Sequence, residues 1–271
     1  MDAEGLSGDL ELLSCCGVVL SVEQRTQLQS SLVILRKKCK FQQVQLWGVI
    51  HGVSADYFIA VGLGRDELGD RKYLYSQDCK QWSQLPQADR SLRDKCAQLQ
   101  GRFTGRPEHV HEQQVLERVE DGENAQETTT TVEVQEVDRL AAVVYSIQQD
   151  SAAVPKGAYM QTHDGAVVRN KSFHGLSLAE ASRCSYYLHF SPPQSSSVNN
   201  DIHKLFLYQD TVDKDQPPGC WSVTKEQGGD TVLLRNLFWP GQVVYHKPQT
   251  STFGHFYSGT GEKTTDLLFM L

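Results

Sequence analysis

Two short segments combine residue types at a spacing that could do chemistry. Gly259-Thr260-Gly261-Glu262-Lys263-Thr264 carries the glycines, lysine and threonine of a phosphate-binding loop. Such a loop needs Gly and Lys adjacent, so that backbone amides and an ammonium converge on one phosphate at the start of a helix. Here Glu262 intervenes and sets a negative charge where the phosphate would sit, and seven residues follow Thr264. The segment reads as a turn. His109-x-His111 would place two imidazoles on one face of a strand, flanked by Glu108 and Glu112, but no third ligand stands at a telling distance. That pair reads as a solvated strand edge, and no residue set points to a metal or cofactor.

Nucleophilic chemistry has no better foothold. A Gly-x-Ser-x-Gly elbow is missing, and the seven cysteines (15, 16, 39, 79, 96, 184 and 220) form no C-x-x-C pair. Their odd number and scattered spacing match reduced thiols in the cytosol. A formal charge of −7 argues against nucleic acid or an anionic membrane as a main partner. The start, MDAEGLSGDLELL, lacks a basic leader, and no apolar run approaches the roughly twenty residues of a membrane span. The expectation is a soluble intracellular protein without catalytic residues.

What remains is a set of aromatics and glycines. Trp239-Pro240-Gly241 is a stiff turn: Pro fixes one φ, Gly frees the next, and Trp anchors the bend. Trp47, Tyr57, Phe58, Trp221, Phe256 and Tyr257 are core candidates one by one. As a set, with the apolar ending Leu267-Leu268-Phe269-Met270-Leu271, they exceed what a modest sheet needs. Some are therefore expected at an interface, where Trp and Tyr make favoured anchors. The apolar tail is expected either to fold back or to dock on another chain.

The elements that must position these residues follow from periodicity. Ser21 to Gln24 has the form of a capping box, and Leu28, Leu32 and Leu35 follow at helical spacing, which predicts a helix over 22–38. A weaker helix covers 4–14. Gln43–Gly52 and Asp56–Gly62 alternate as a hairpin, and Lys72–Ser76 adds a strand. Ala88–Gln98 reads as a helix, 117–127 as an exposed hairpin turn or mobile loop, and Thr129–Val134 as a strand. A helix of about twelve residues runs through Leu140 and Ile147, and a second capping box at Ser177 opens one that carries Ala181 and Cys184. Strands fall at 221–225, 231–237, 242–245 and 253–258. The fold class is α+β: antiparallel hairpins and sheet with several peripheral helices. Residues 1–20 form a poorly ordered or short helical segment. Residues 21–271 form one domain, with a loop-rich insertion at about 191–219 and a short element near Leu205.

Several of these motifs resemble the radial spoke head proteins of motile cilia. Leu237-Phe238-Trp239-Pro240-Gly241, then Phe253-x-x-Phe256-Tyr257-x-Gly259-x-Gly261, looks like that family's C-terminal signature. Trp47-Gly48-x-Ile50-x-Gly52 with Asp56-Tyr57-Phe58-Ile59-Ala60 resembles its N-terminal hairpin, and Gly101-Arg102-Phe103-x-Gly105 a further shared turn. Larger members tend to have Trp where this chain has Thr260. The likeness runs from about 21 to 271 and is weak in 1–20 and 191–219.

The resemblance implies a non-catalytic axonemal subunit that joins larger spoke-head relatives and contacts central pair projections indirectly. It would help relay signals from the central pair to the dynein arms. It gives no catalytic residues, and it makes Trp47, Gly48, Tyr57, Phe58, Trp239, Pro240, Gly241, Phe256, Tyr257, Gly259 and Gly261 scaffold or interface candidates. The competing readings are a small cytosolic enzyme and a ligand-binding module, which would need a deep pocket with converging polar groups.

Overall fold

The computed structural model describes residues 1–99, 101–121, 124–191, 210–226 and 230–269. The chain opens with helix α1 (Leu6–Leu12) and α2 (Val22–Cys39), followed by strands β1 (Gln43–Ile50), β2 (Tyr57–Leu63), β3 (Arg71–Ser76) and β4 (Ser83–Gln84). Helix α3 (Arg90–Ala97) leads to a long hairpin, β5 (Val110–Asp121) and β6 (Asn124–Gln135), and then to α4 (Glu136–Ser151). Short strands β7 (Ala153–Pro155), β8 (Tyr159–Gln161) and β9 (Val167–Arg169), the single-turn helix α5 (Leu178–Ala181) and β10 (Tyr187–His189) follow. The end is a meander of β11 (Trp221–Lys225), β12 (Val232–Asn236), β13 (Gln242–His246) and β14 (Phe253–Gly259). Helices combine with strands that pair almost wholly antiparallel, so the class is α+β.

One eight-stranded sheet organises the molecule, in the order β11-β12-β13-β14-β1-β2-β3-β4. Every pairing in it is antiparallel except one. β14 lies parallel to β1, with Gly48 opposite Tyr257 and Ile50 opposite Gly259. The sheet is therefore mixed: the antiparallel hairpins expected from the sequence are joined by one parallel seam. Hairpin periodicity is a local signal, whereas this seam joins segments some two hundred residues apart.

Alternation along the strands gives the sheet two apolar faces. On one, Leu6, Leu10 and Leu13 join Leu28, Leu32 and Leu35 of α2 over Leu46, Phe58, Leu233 and Phe256. On the other, Leu140, Val144 and Ile147 of α4 cover Trp47, Tyr57, Ile59 and Tyr257. Residues 1–20, set apart by the sequence reading, thus contribute to the same core as β1. Helix α2 starts where its capping box requires: Ser21 Oγ accepts from the Gln24 amide at 3.1 Å, and Gln24 Oε1 accepts from the Ser21 amide at 2.9 Å.

Several local expectations shift. Helix α4 begins at Glu136 and is 16 residues long rather than about twelve, because it also includes Glu136–Arg139 ahead of its apolar stripe. Segment 117–127, read as a turn or loop, is largely strand, with β5 and β6 paired from Val110↔Gln135 to Asp121↔Asn124. The helix opened by Ser177 ends at Ala181, and Cys184 lies in a separate 3-10 turn. The proposed element near Leu205, with most of 191–219, lies outside the described residues. The rest of that stretch holds a 3-10 turn at Val212–Lys214, and Asp215 accepts hydrogen bonds from Trp221 Nε1 at 2.7 Å and His189 Nε2 at 2.8 Å.

Candidate functional site

Helix α4 gathers the polar atoms of the aromatic positions singled out in the sequence. At its first residue, Glu136 is fully buried. Its carboxylate accepts from Tyr57 Oη at 2.6 Å, Thr104 Oγ1 at 2.6 Å, and the amides of Thr104, Gly105 and Arg106 at 2.9, 2.8 and 3.0 Å. His111 Nε2 lies 3.1 Å from the same carboxylate. Burial alone would raise the pKa of Glu136. The hydrogen bonds from Thr104, Tyr57 and Gly105 overcome that and hold it at about 2. This carboxylate is an acceptor with its lone pairs spent, so it ties β2, the 103–106 turn and β5 to α4 and is a poor general base.

Two further ties sit at the other end of the helix. Trp47 Nε1 donates to Gln148 Oε1 at 2.9 Å, and Trp239 Nε1 donates to Asp150 Oδ2 at 3.0 Å. Asp150 also takes Lys263 Nζ at 2.7 Å, and that ammonium lies 5.5 Å from the Phe238 ring centroid and 5.7 Å from that of Trp239. The lysine of the phosphate-loop look-alike is thus paired with a carboxylate. The Gly261 amide of the same segment donates to Tyr57's counterpart on β14, Tyr257 Oη, at 2.9 Å. Gly261 has φ +78°, as a turn requires, and the segment leads into a 3-10 turn at Asp266–Phe269.

The glycines of the signature permit close approach. Gly48 faces the β14 backbone so tightly that a Cβ would stand 2.4 Å from the Tyr257 carbonyl oxygen. A bulge between Leu46 and Gly48 shifts the β1–β2 register there, which lets Trp47 rest against Tyr257 with centroids 5.6 Å apart. Gly241 has φ +96°, and a Cβ on it would stand 2.0 Å from the Ser258 oxygen.

Of the eleven positions, Trp47, Tyr57, Phe256 and Tyr257 are almost entirely buried, and Phe58 and Trp239 are 3% and 4% exposed. Gly48 and Gly261 are buried, Gly259 is half-buried, and Pro240 and Gly241 are at the surface. The expected aromatic anchors therefore face the chain's own core. Pro240 and Lys263 line a groove of about 860 Å³ together with Arg93, Arg139, Tyr145 and Asp150. The His pair does not sit as a strand-face pair. His109 precedes β5, its ring meets that of His111 edge-on at 4.8 Å, and His111 turns to Glu136. Burial pulls the His111 pKa down, with Arg139 adding to the effect. Among the described residues, no group of three or more His, Cys, Asp or Glu could hold a metal ion.

Sequence reasoning missed Glu136, Gln148 and Asp150. Glu136 and Asp150 stand at the two ends of the α4 periodicity, where a charge reads as a solvated terminus. The signal available was indirect: the turn at Gly101–Gly105 was noted, and a turn of exposed amides needs an acceptor.

The protein-family model described as "Radial spokehead-like protein" matches residues 2–156, from α1 through β7. Over its full length, and the full length of each relative, the chain is 41% identical to the "Radial spoke head protein 9 homolog" of Bos taurus and 40% identical to that of Homo sapiens. The Danio rerio protein of the same name is 40% identical, again across both chains. The chain belongs to the radial spokehead-like family. The sequence resemblance had placed weak likeness in 1–20 and 191–219, and the alignments to these relatives extend across both. For this family member, the α4 ties link residues of the N-terminal hairpin, the 103–106 turn and the C-terminal signature into one unit. No helix among the described residues is long and apolar enough to cross a membrane.

Proposed function

We propose that this chain is a non-catalytic structural subunit of the axonemal radial spoke head. In this reading it acts in motile cilia and flagella, where it is needed to assemble the head and to relay signals between central pair projections and dynein arms. The observation that carries the proposal is full-length identity of 38–41% to relatives named as radial spoke head protein 9 homologs. The geometry supports it through the α4 ties: polar groups that could have served chemistry are spent on one another, as in Lys263–Asp150–Trp239 and Tyr57–Glu136–His111. The buried aromatics and the glycines are then scaffold that shapes a surface for larger spoke-head relatives.

The test is removal of the chain from a motile ciliated cell, with spoke heads imaged in the axoneme. The reading expects heads that are missing or incomplete and a beat that is stiff or irregular, restored by re-expression. Intact heads and normal motility without the chain would overturn it.

A further inference from the structure

A polar cavity of about 240 Å³ lies where the start of the chain, the β2–β3 connection, β8, β9 and β14 meet. It has room for about eight waters at roughly 30 Å³ each. That is less than the roughly 300–1,000 Å³ of a drug-sized ligand site. Three carboxylates, Asp2, Asp9 and Glu67, line it together with Arg71, Arg169 and Met1, whose amino group donates to the Leu46 carbonyl. Neither sign of charge is in excess.

Both guanidiniums are held over rings. Arg71 Cζ lies 4.7 Å from the Phe190 centroid and Arg169 Cζ 4.5 Å from that of Phe253. Tyr159 joins the two rings, stacked on Phe190 at 4.2 Å and edge-on to Phe253 at 6.1 Å. A guanidinium over a ring face keeps N–H groups free for an acceptor. Arg71 Nε donates to the Glu67 carbonyl and Arg169 Nη2 to the Ser251 carbonyl, each at 2.7 Å. Among the described residues neither Arg pairs with a carboxylate. Asp2 has both oxygens engaged, by the Ala3 amide at 2.9 Å and Gln43 Nε2 at 3.1 Å. Glu67 differs: its Oε1 accepts from the Arg169 amide at 3.2 Å, while its Oε2 is buried without a hydrogen-bond partner. His255 Nε2, also of the cavity lining, is buried and unpartnered too. Burial pulls that imidazole down to about 3, so it is neutral at physiological pH. Unmade hydrogen bonds of buried groups are costly, and here an acceptor lacking a donor shares a cavity with donors lacking an acceptor.

We propose that this cavity binds a small zwitterion of the α-amino acid class, its carboxylate on Arg71 and Arg169 and its ammonium on Glu67. A ligand with net charge would meet as much repulsion as attraction from a balanced wall, whereas a zwitterion places each charge against its opposite. The proposal goes beyond the spoke-head reading, and neither depends on the other.

The experiment is calorimetric titration of the full chain with glycine, L-alanine, L-serine and L-glutamine. Acetate, methylamine and glycerol serve as probes of one kind of group at a time. At least one amino acid is expected to bind with a Kd below about 1 mM and to slow amide exchange at 66–71 and 251–255. The three single-group probes are expected to give no heat. E67Q and R169Q, each checked for an unchanged melting temperature without ligand, should weaken binding at least about tenfold. Should a variant misfold, the parent's exchange pattern still locates the site. No binding by any of the four amino acids would mean that waters alone fill the cavity. Binding that both folded variants leave unchanged, or protection confined to other parts of the chain, would put the site elsewhere. Acetate, methylamine or glycerol binding as tightly as the amino acids would remove the zwitterion. Each of these three results overturns the proposal.

Discussion

The indole Nε1 of Trp47 donates to Gln148 Oε1 at 2.9 Å, joining residues 101 apart in the chain. The other end of the Gln148 amide donates to the Phe190 carbonyl at 3.3 Å. One α4 side chain therefore fixes the bulged middle of β1 and the strand-end region after β10. The same logic recurs at Asp150 with Trp239 and at Glu136 with Tyr57. Burying an aromatic ring stabilises through area alone. Giving its polar atom a single partner specifies which ring sits where.

Trp47→Phe, read together with a second change at Gln148, should separate those two contributions. The phenyl that replaces the indole loses buried volume as well as the donor, and the Gln148 Oε1 left buried without its partner accounts for about 1–3 kcal/mol of the cost. Adding Gln148→Leu should recover part of that loss, since removing both partners is cheaper than orphaning one. Urea unfolding of the single and double variants measures both steps. A single variant as stable as the parent would show that the bond contributes nothing.

Glu136 gives a pH dependence with a definite sign. Its folded pKa is depressed from 4.5 to about 2. Its contribution is therefore complete above pH 4.5 and is lost as pH falls from there toward 2. The size is up to about 3 kcal/mol. Glu136→Gln should lower stability at pH 7 by a similar amount and flatten the parent's stability loss across that acid window. Denaturation midpoints collected from pH 7 to pH 2 supply the comparison, and parallel profiles for parent and variant would refute it.

The elements were legible where one signal sufficed. The capping box at Ser21 and the stripe Leu28, Leu32, Leu35 define α2, and alternation defines β1, β2 and the four C-terminal strands. The parallel seam of β1 with β14 was not legible, because pairing between distant strands leaves no local mark. The site was half legible. Gly48 and Gly241 stand out by type, and both turn out to be points of close backbone approach. Composition could not assign Trp239 to core or surface. The deciding facts are spatial: its ring is 4% exposed, and Asp150 receives its N–H.

Lys263→Ala tests the phosphate-loop look-alike. The Lys263–Asp150 pair is partly exposed on both sides, so its loss should cost less than about 1 kcal/mol. Calorimetric titration of the parent with ATP and GTP should give no binding heat, since the ammonium already has a carboxylate and the Gly261 amide already has Tyr257. Nucleotide binding in the parent that disappears in the variant would reverse this reading.

Gly241 and Gly17 make a controlled pair. Both have positive φ, +96° and +78°. A Cβ at Gly17 meets nothing within 4 Å, whereas one at Gly241 would stand 2.0 Å from the Ser258 oxygen. Gly17→Ala should cost only the left-handed backbone penalty, about 1–2 kcal/mol. Gly241→Ala adds displacement of β14 backbone and should cost clearly more. Equal melting-temperature losses would mean that the Trp239-Pro240-Gly241 turn has slack that the packing does not suggest.

Leu267 tests the apolar tail. It is 4% exposed and packs with Cys220, Trp221, Leu234 and Val244 on the sheet, so at this residue the tail is folded back. Truncating a buried Leu to Ala costs about 2–5 kcal/mol, depending on how far the site collapses. Total stability is typically about 5–15 kcal/mol. Leu267→Ala should therefore lower the melting temperature of the isolated chain, with no partner present. Ending the chain after Asp266 should lower it at least as much. If Leu267→Ala melts like the parent when alone and loses only its binding to a spoke-head subunit, the Leu267 contact serves docking instead, and the folded-back arrangement is not what holds this edge of the sheet.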